Sequence, residues 1–229
     1  MSWSPLTQSH PYHWPLAGQW SAADTALLVI DMQADFLSPD GYFARMGNSL
    51  EGTRAAIEPL QRVLQAARTR GIRVIYTRES HRPDLTDLSP TKRARAESMG
   101  TPIGGPGPLG RFLVRGEPGC DIIQELAPEP GEPVLDKPGN GAFHATDLDQ
   151  MLRAQGIKHL LITGVTTDVC VHSTLREAND RGYDCLVLED GCGAGDQALH
   201  DAALAMMDNE GGIFGAHASV QALTESWSS

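Results

Sequence analysis

The residues best suited to chemistry begin with Cys170, set in Gly164-Val165-Thr166-Thr167-Asp168-Val169-Cys170 behind the apolar run Leu160-Leu161-Ile162. An apolar run too short for a helix, then a glycine and two threonines, then a segment of helical spacing closing at Gly182, reads as strand, turn, helix. Cys170 is therefore expected in the first helical turn. There, unpaired backbone N–H groups and the positive end of the helix dipole favour a thiolate and lower the thiol pKa. Two other residues could serve such a nucleophile. Asp31 closes the apolar run Ala26-Leu27-Leu28-Val29-Ile30, and Lys137 follows Pro133-Val134-Leu135-Asp136. If these runs are strands of one parallel sheet, their carboxyl ends bring an acid, an ammonium and a thiol to the edge where ligands bind. That set suits acyl transfer. Asp31 would take the thiol proton and return it to a leaving amine, while Lys137 steadies both anions. Backbone N–H groups of Thr166 and Cys170 would hold the oxyanion.

The elements that must position these residues alternate along the chain. Residues 49–70 have helical spacing, with Ile57, Leu60, Val63, Leu64 and Ala67 on one face and Gly71 as terminator. Val74-Ile75-Tyr76-Thr77 reads as a strand, residues 147–155 as a helix, Asp184-Cys185-Leu186-Val187-Leu188 as a strand and residues 196–209 as a helix, with a short unit over 220–226 closing the fold. Strand and helix in alternation imply a doubly wound, Rossmann-like α/β three-layer sandwich on a mainly parallel six-stranded sheet. No linker composition divides the chain, so residues 1–229 are expected to form a single domain, with residues 1–21, rich in proline and aromatics, as an N-terminal arm packed on its own domain or a neighbouring subunit. The Gly/Pro-rich stretch over 78–133 is long for a connection and is expected to be a lid or a subunit contact.

Composition excludes several classes of partner. A net charge of -11 argues against nucleic acid and anionic membrane, which need clustered Lys and Arg. The basic cluster Lys92-Arg93-Ala94-Arg95 is expected to face solvent on a short helix. The cysteines form no CxxC pair, and no signal peptide or long apolar span is evident, so a cytoplasmic protein is expected. His172 lies two residues beyond Cys170, on a different helix face, so no Cys-His dyad is read there. Cys185, inside a strand, reads as an inert core thiol, and Cys120 and Cys192 are given no catalytic role. His81, His144 and His217 are candidates for lining a site. Asp168 is explained as an acid in the first helical turn. No GxGxxG follows the first strand, so the sheet is not read as a dinucleotide binder. A noncatalytic binding domain on the same fold is the alternative from another class. The complete set of Asp31, Lys137 and Cys170 weighs against it.

The landmarks Val29-Ile30-Asp31-Met32-Gln33 with Asp35-Phe36, Asp136-Lys137-Pro138, and Gly164-Val165-Thr166-Thr167-Asp168-Val169-Cys170 together resemble the isochorismatase-like cysteine hydrolases, and the likeness covers nearly the whole chain. That family includes nicotinamidases, N-carbamoylsarcosine amidohydrolases, ureidoacrylate amidohydrolases and biuret hydrolases. The resemblance implies a triad of Asp31, Lys137 and Cys170, a cis peptide between Val165 and Thr166, and Phe36 at the substrate. Arg78-Glu79, His81-Arg82-Pro83-Asp84, Gly116-Glu117-Pro118-Gly119 and residues 176–182 look most like the ureide-cleaving branch, and within it the biuret hydrolases. Two positions depart from that pattern: Asn140 stands where those enzymes carry a lysine, and Glu210 where they carry a glutamine before the paired glycines. Both are expected to bind substrate, Glu210 accepting from an extra NH2, so that triuret is preferred to biuret. Ureidoacrylate is the alternative substrate. No metal or other cofactor is expected, because the region corresponding to the metal site of the nicotinamidases offers only His81 among the histidines. A homotetramer acting on a small ureide is the implied assembly.

Overall fold

The structure, a computed structural model, describes residues 2–227. Thr25–Ile30 (β1) is buried at every position, which is why its sequence is apolar without alternation. The remaining strands of the central sheet are Arg73–Glu79 (β2), Val134–Lys137 (β3), His159–Val165 (β4), Asp184–Gly193 (β5) and Ala216–Ala218 (β6). They lie in the order β6-β5-β4-β1-β2-β3, all parallel. From β1 the chain winds outward through β2 to β3, then returns to β4 beside β1 and winds the other way. The direction of winding therefore reverses between β1 and β4, and a crevice opens at the carboxyl ends of those two strands.

Alternate residues of the strands feed two separate cores. Leu27, Val29, Val74, Tyr76 and Leu161 pack with Leu60, Val63 and Leu64 of Ile57–Thr69 (α1). Ala26, Leu28, Ile30, Ile75, Leu160 and Ile162 pack with Leu148 and Leu152 of Leu148–Ala154 (α2) and with Leu175 and Ala178 of His172–Asp180 (α3). Gln197–Asp208 (α4) joins this second layer through Met207, and Val220–Ser226 (α5) joins the first through Val220 and Leu223. This is the expected three-layer sandwich. The helix expected over 49–70 is instead two, Glu51–Ala55 and α1, meeting at Ala56. Pro59 has no N–H to give to the carbonyl of Ala55, so the first helix cannot run unbroken into the second.

The N-terminal segment packs on its own chain. Trp14 and Trp20 are fully buried, Trp20 lies 4.7 Å from Trp3 and 6.0 Å from Trp227 between ring centroids, and His10 exchanges backbone hydrogen bonds with His217 of β6. The long segment after β2 wraps the carboxyl edge of the sheet. It contains the helix Pro90–Ser98, whose N-terminus is capped by Ser89 Oγ accepting from the N–H of Lys92. It is pinned by the buried Asp35 carboxylate, which accepts from the N–H groups of Leu113 and Tyr42 at 2.8 and 3.2 Å. Among the described residues no helix is long and apolar enough to cross a membrane.

Candidate active site

Strand register builds the site. Ile30 lies opposite Thr77 on one side and Gly164 on the other, and Glu79 lies opposite Lys137. One residue beyond Ile30 the chain turns sharply at Asp31, which has a left-handed φ of 53°. Its N–H is held by the carbonyl of Thr77 at 3.1 Å. Thr77 Oγ1 donates to Asp31 Oδ1 at 2.7 Å, and Lys137 Nζ makes an ion pair with Oδ2 at 2.7 Å, both side chains being wholly buried. Gly164 permits the close approach of β4, because a Cβ there would strike the carbonyl of Ile30. The Val165–Thr166 peptide is cis.

Beyond it, Thr167–Val171 forms a π-helical turn that leads into α3, so Cys170 sits on a widened turn ahead of the α-helix and not inside its first turn. The carbonyl of Cys170 accepts from Thr174 Oγ1 at 2.7 Å, and that oxygen accepts in turn from the N–H of Ala142 at 3.0 Å. The turn carrying Cys170 is thereby tied to the loop after Lys137. Lys137 Nζ reaches Cys170 Sγ at 3.5 Å and donates to the carbonyls of Gly139 and Asn140 at 3.0 and 2.8 Å. The three residues expected to act together do meet.

Two charged residues missing from the sequence-based set join them. Glu79, at the end of β2 and buried, accepts from the Cys170 thiol through Oε2 at 3.5 Å, and its Oε1 pairs with Lys92 Nζ at 2.6 Å. Lys92 also donates to the carbonyl of Pro138 at 2.7 Å. The expectation that Lys92 faces solvent is therefore corrected. Its helix lies across the pocket, and the ammonium turns inward because a buried carboxylate awaits it. Gln33 fixes Glu79 from behind, accepting from its N–H at 2.8 Å and donating to its carbonyl at 3.1 Å. The sequence carried a signal for Glu79: it ends the second strand, at the same edge as Asp31.

Electrostatics revise the expected state of the thiol. Burial pushes Cys170 well above its ordinary range; Lys137 opposes this, and Asp31 and Glu79 reinforce it. The helix dipole is outweighed, and the free site holds a thiol. Burial also raises Asp31 against the pull of Lys137. For Glu79 burial acts upward, but Lys92 and then Lys137 hold it below the usual carboxylate range. Asp31 is thus the better proton acceptor and Glu79 the more persistent anion. Two carboxylates, two ammoniums and a neutral thiol sum to zero charge. Proton transfer from Cys170 to Asp31 preserves that sum, whereas loss of the proton to solvent would leave a net buried anion.

The site opens into a cavity of about 180 Å³ whose walls include Phe36, Tyr42, Phe43, Asn140, Thr166 and the helix residues Lys92 and Arg95. Phe36, Asn140 and Thr166 therefore line the cavity. Glu210 does not. It is exposed, on the turn between α4 and β6, and does not line this cavity. That turn leads into the start of a parallel strand at the rim of the sheet, so it lies at the edge opposite the site. Nor do His81, His144 and His217 line the cavity: His81 pairs with Asp87, His144 is exposed, and His217 pairs with Glu189 and Asp208. His172 Nδ1 accepts from Arg176 at 3.0 Å and serves no dyad with Cys170. Cys185 and Cys192 are buried without a cation beside them, and Cys120 is pushed up to about 12, chiefly by burial. The oxygens and sulfur of Asp31, Glu79 and Cys170 lie within 4.8 Å of one another, a spacing that could hold a metal ion. The Lys137 ammonium already touches Asp31 and Cys170, so a cation entering there would have to displace it.

An isochorismatase-domain profile matches residues 25–219. The chain belongs to the isochorismatase family. It is 37% identical over 190 residues to the ureidoacrylate amidohydrolase RutB of Methylorubrum extorquens, covering 81% of this chain and 76% of that protein. The corresponding protein of Serratia proteamaculans is 36% identical, with coverage of 83% and 78%. Among solved structures, a cysteine hydrolase from Pseudomonas syringae pv. phaseolicola 1448A superimposes with a TM-score of 0.79 at 27% identity, covering 93% of this chain and 95% of that one. The N-carbamoylsarcosine amidase of Thermoplasma acidophilum gives 0.64 at 26% identity, with coverage of 86% and 96%. The protein is an isochorismatase-family cysteine hydrolase.

Proposed function

We propose that the protein hydrolyses a small linear ureide of the biuret and triuret kind through a thioester on Cys170, with Asp31 and Lys137 completing the catalytic set. The observation that carries this reading is a thiol flanked by the Asp31–Lys137 pair on one side and an ion-paired carboxylate on the other, at the base of a cavity of about 180 Å³. A ureide offers N–H donors at its ends and carbonyl acceptors between them, which such a site can match.

The thiol proton passes to Asp31 as sulfur attacks a carbamoyl carbon. The S–C bond forms, the oxyanion is held by backbone N–H groups at Thr166 and Cys170, and the C–N bond breaks as Asp31 returns the proton to the leaving nitrogen. Water, deprotonated by Asp31, then attacks the thioester, and sulfur leaves with the proton. Lys137 stays charged throughout and offsets whichever anion is present.

Asn140 keeps its proposed place at the substrate. The preference for triuret over biuret rested on Asn140 and Glu210 together; Glu210 lies away from the cavity and no longer supports it, while Asn140 lies on the cavity wall. A second reading, a carboxylated ureide such as ureidoacrylate, is favoured by Arg95 on the cavity wall and by the activity named for the relatives above. Ammonia release measured across biuret, triuret, ureidoacrylate, nicotinamide and N-carbamoylsarcosine tests both. A ureide turned over fastest supports the class, and the carboxylated one ranking first selects the second reading. Nicotinamide or N-carbamoylsarcosine ranking first removes the proposal. A homotetramer belongs to the same proposal, and light scattering tests it.

A further inference from the structure

Glu79 is an awkward neighbour for a nucleophile. Its Oε2 lies 3.5 Å from Cys170 Sγ, with the thiol as its hydrogen-bond donor, while Oε1 is committed to Lys92. When the thiol proton leaves for Asp31, Oε2 loses that donor and faces an anionic sulfur. A buried carboxylate oxygen without a partner is costly, and like charges at this separation oppose the reaction. The sequence of events proposed above therefore requires a donor to reach Oε2 before or as the thiol ionises.

Among the described residues, the two ammonium groups nearest the sulfur already have partners. Lys92 is held by Oε1 and by the carbonyl of Pro138, and Lys137 by Asp31 and the carbonyls of Gly139 and Asn140. A bound substrate can supply the donor. Attack brings the substrate carbon within bonding distance of Sγ, so the group on that carbon lies within reach of an oxygen 3.5 Å from the sulfur. On a carbamoyl carbon that group is an NH2.

We propose that Glu79, fixed by Lys92, is the specificity residue that accepts an N–H from the carbamoyl NH2 of the substrate, and that in the free protein the same carboxylate holds Cys170 in its unreactive thiol form. The inference rests on the ureide reading and adds to it the atom that recognises the NH2, together with a reason for the thiol to ionise only when substrate is bound. Lys92 acts as a positioning residue. Without it Glu79 would be free to take a proton and to swing away from the sulfur.

Glu79→Gln keeps the shape and removes the charge. Two effects of opposite sign are expected. The kcat/KM for a ureide with a terminal NH2 should fall about 10- to 100-fold, and that for its N,N-dimethylated analogue much less. Alkylation of the free protein by iodoacetamide at pH 8 should become several-fold faster, because an anion has been taken from beside the sulfur. Lys92→Met should reproduce a smaller part of the first effect. Equal losses on both substrates, or slower alkylation, would show that Glu79 only supports the fold of the site, and no change in either would show that it does not contact substrate; each overturns the inference.

Calorimetric binding of biuret and triuret to Cys170→Ser, with and without Glu79→Gln, separates this inference from the activity it builds on. Weaker binding on loss of the carboxylate supports Glu79 as the NH2 acceptor even if the wild-type protein releases no ammonia from ureides, a result that would sink only the proposed activity. Equal binding overturns the inference and leaves the activity standing. No ureide binding to either form overturns both.

Discussion

The two edges of the central sheet carry similar residue types and use them differently. At the carboxyl edge Asp31, Glu79, Lys92, Lys137 and Cys170 cluster at the base of the cavity, each charge answered by another side chain of the cluster. At the amino edge Asp184, at the start of β5, accepts from Tyr12 at 3.3 Å and from the N–H of Leu16 at 3.0 Å, while His159, at the start of β4, lies 4.0 Å from Asp24. There the polar groups tie the N-terminal arm to the sheet and surround no cavity that holds a nucleophile. The lesson is that the residue types alone say little. What distinguishes the reactive edge is that its charges compete for one proton.

The comparison breaks most visibly at the sulfur. Cys170→Ser should lower kcat on the order of 10⁴-fold or more while leaving the fold intact, because a hydroxyl is far harder to deprotonate by a carboxylate. Mass spectrometry of the wild-type protein should trap an acyl adduct on the same residue. Cys185→Ala, in the interior of β5, should leave kcat within about twofold and cost about 1 kcal/mol in urea unfolding. Comparable activity losses in both would erase the distinction.

Asp31→Asn and Lys137→Met should each abolish turnover, and the double variant should be scarcely worse than either, since the pair acts as a unit. Multiplicative losses in steady-state kinetics would mean independent roles. Stability should separate the same variants. Lys137→Met leaves a buried carboxylate without its cation and should cost about 3 kcal/mol, less if Asp31 takes up a proton, and the double variant should recover part of that.

A sharper contrast comes from the positions thought to touch substrate. Asn140→Lys brings an ammonium to the cavity wall and should change the biuret-to-triuret ratio of kcat/KM by about fivefold or more, whereas Glu210→Gln, at the opposite edge, should leave it unchanged. An effect of Glu210→Gln on that ratio would show that this turn reaches a site after all, in an assembly of several copies.

The smallest effect is expected at Asp184. Burial raises its folded pKa, against the hydrogen bonds from Leu16 and Tyr12 that lower it. A carboxyl whose pKa is higher folded than unfolded stabilises the protein most below the unfolded value of about 3.8 and loses that contribution as pH rises through the folded value. Thermal melts should show the wild-type Tm falling relative to Asp184→Asn across that window, by a few degrees at most, with kcat/KM within about twofold throughout. A large loss of activity would make the arm part of the catalytic apparatus.

The amino-acid sequence by itself determined the layers and the meeting of Asp31, Lys137 and Cys170. Apolar runs of strand length alternating with helical periodicity admit few topologies; Asp31 and Lys137 stand just beyond or at the end of such a run, and Cys170 follows one across a short turn. In a parallel sheet that position is an address, because carboxyl ends share one edge. The same rule points to Glu79, which ends β2, and away from Glu210, which precedes β6. Only the tertiary structure decided the protonation state of the thiol and the direction of Lys92. Both depend on how much water is excluded and on which charges meet across elements distant in sequence. The dipole of a local helix is written in neighbouring residues, whereas the burial of Cys170 between Asp31, Glu79 and Lys137 exists only once four strands and the helix over Pro90–Ser98 have closed around it.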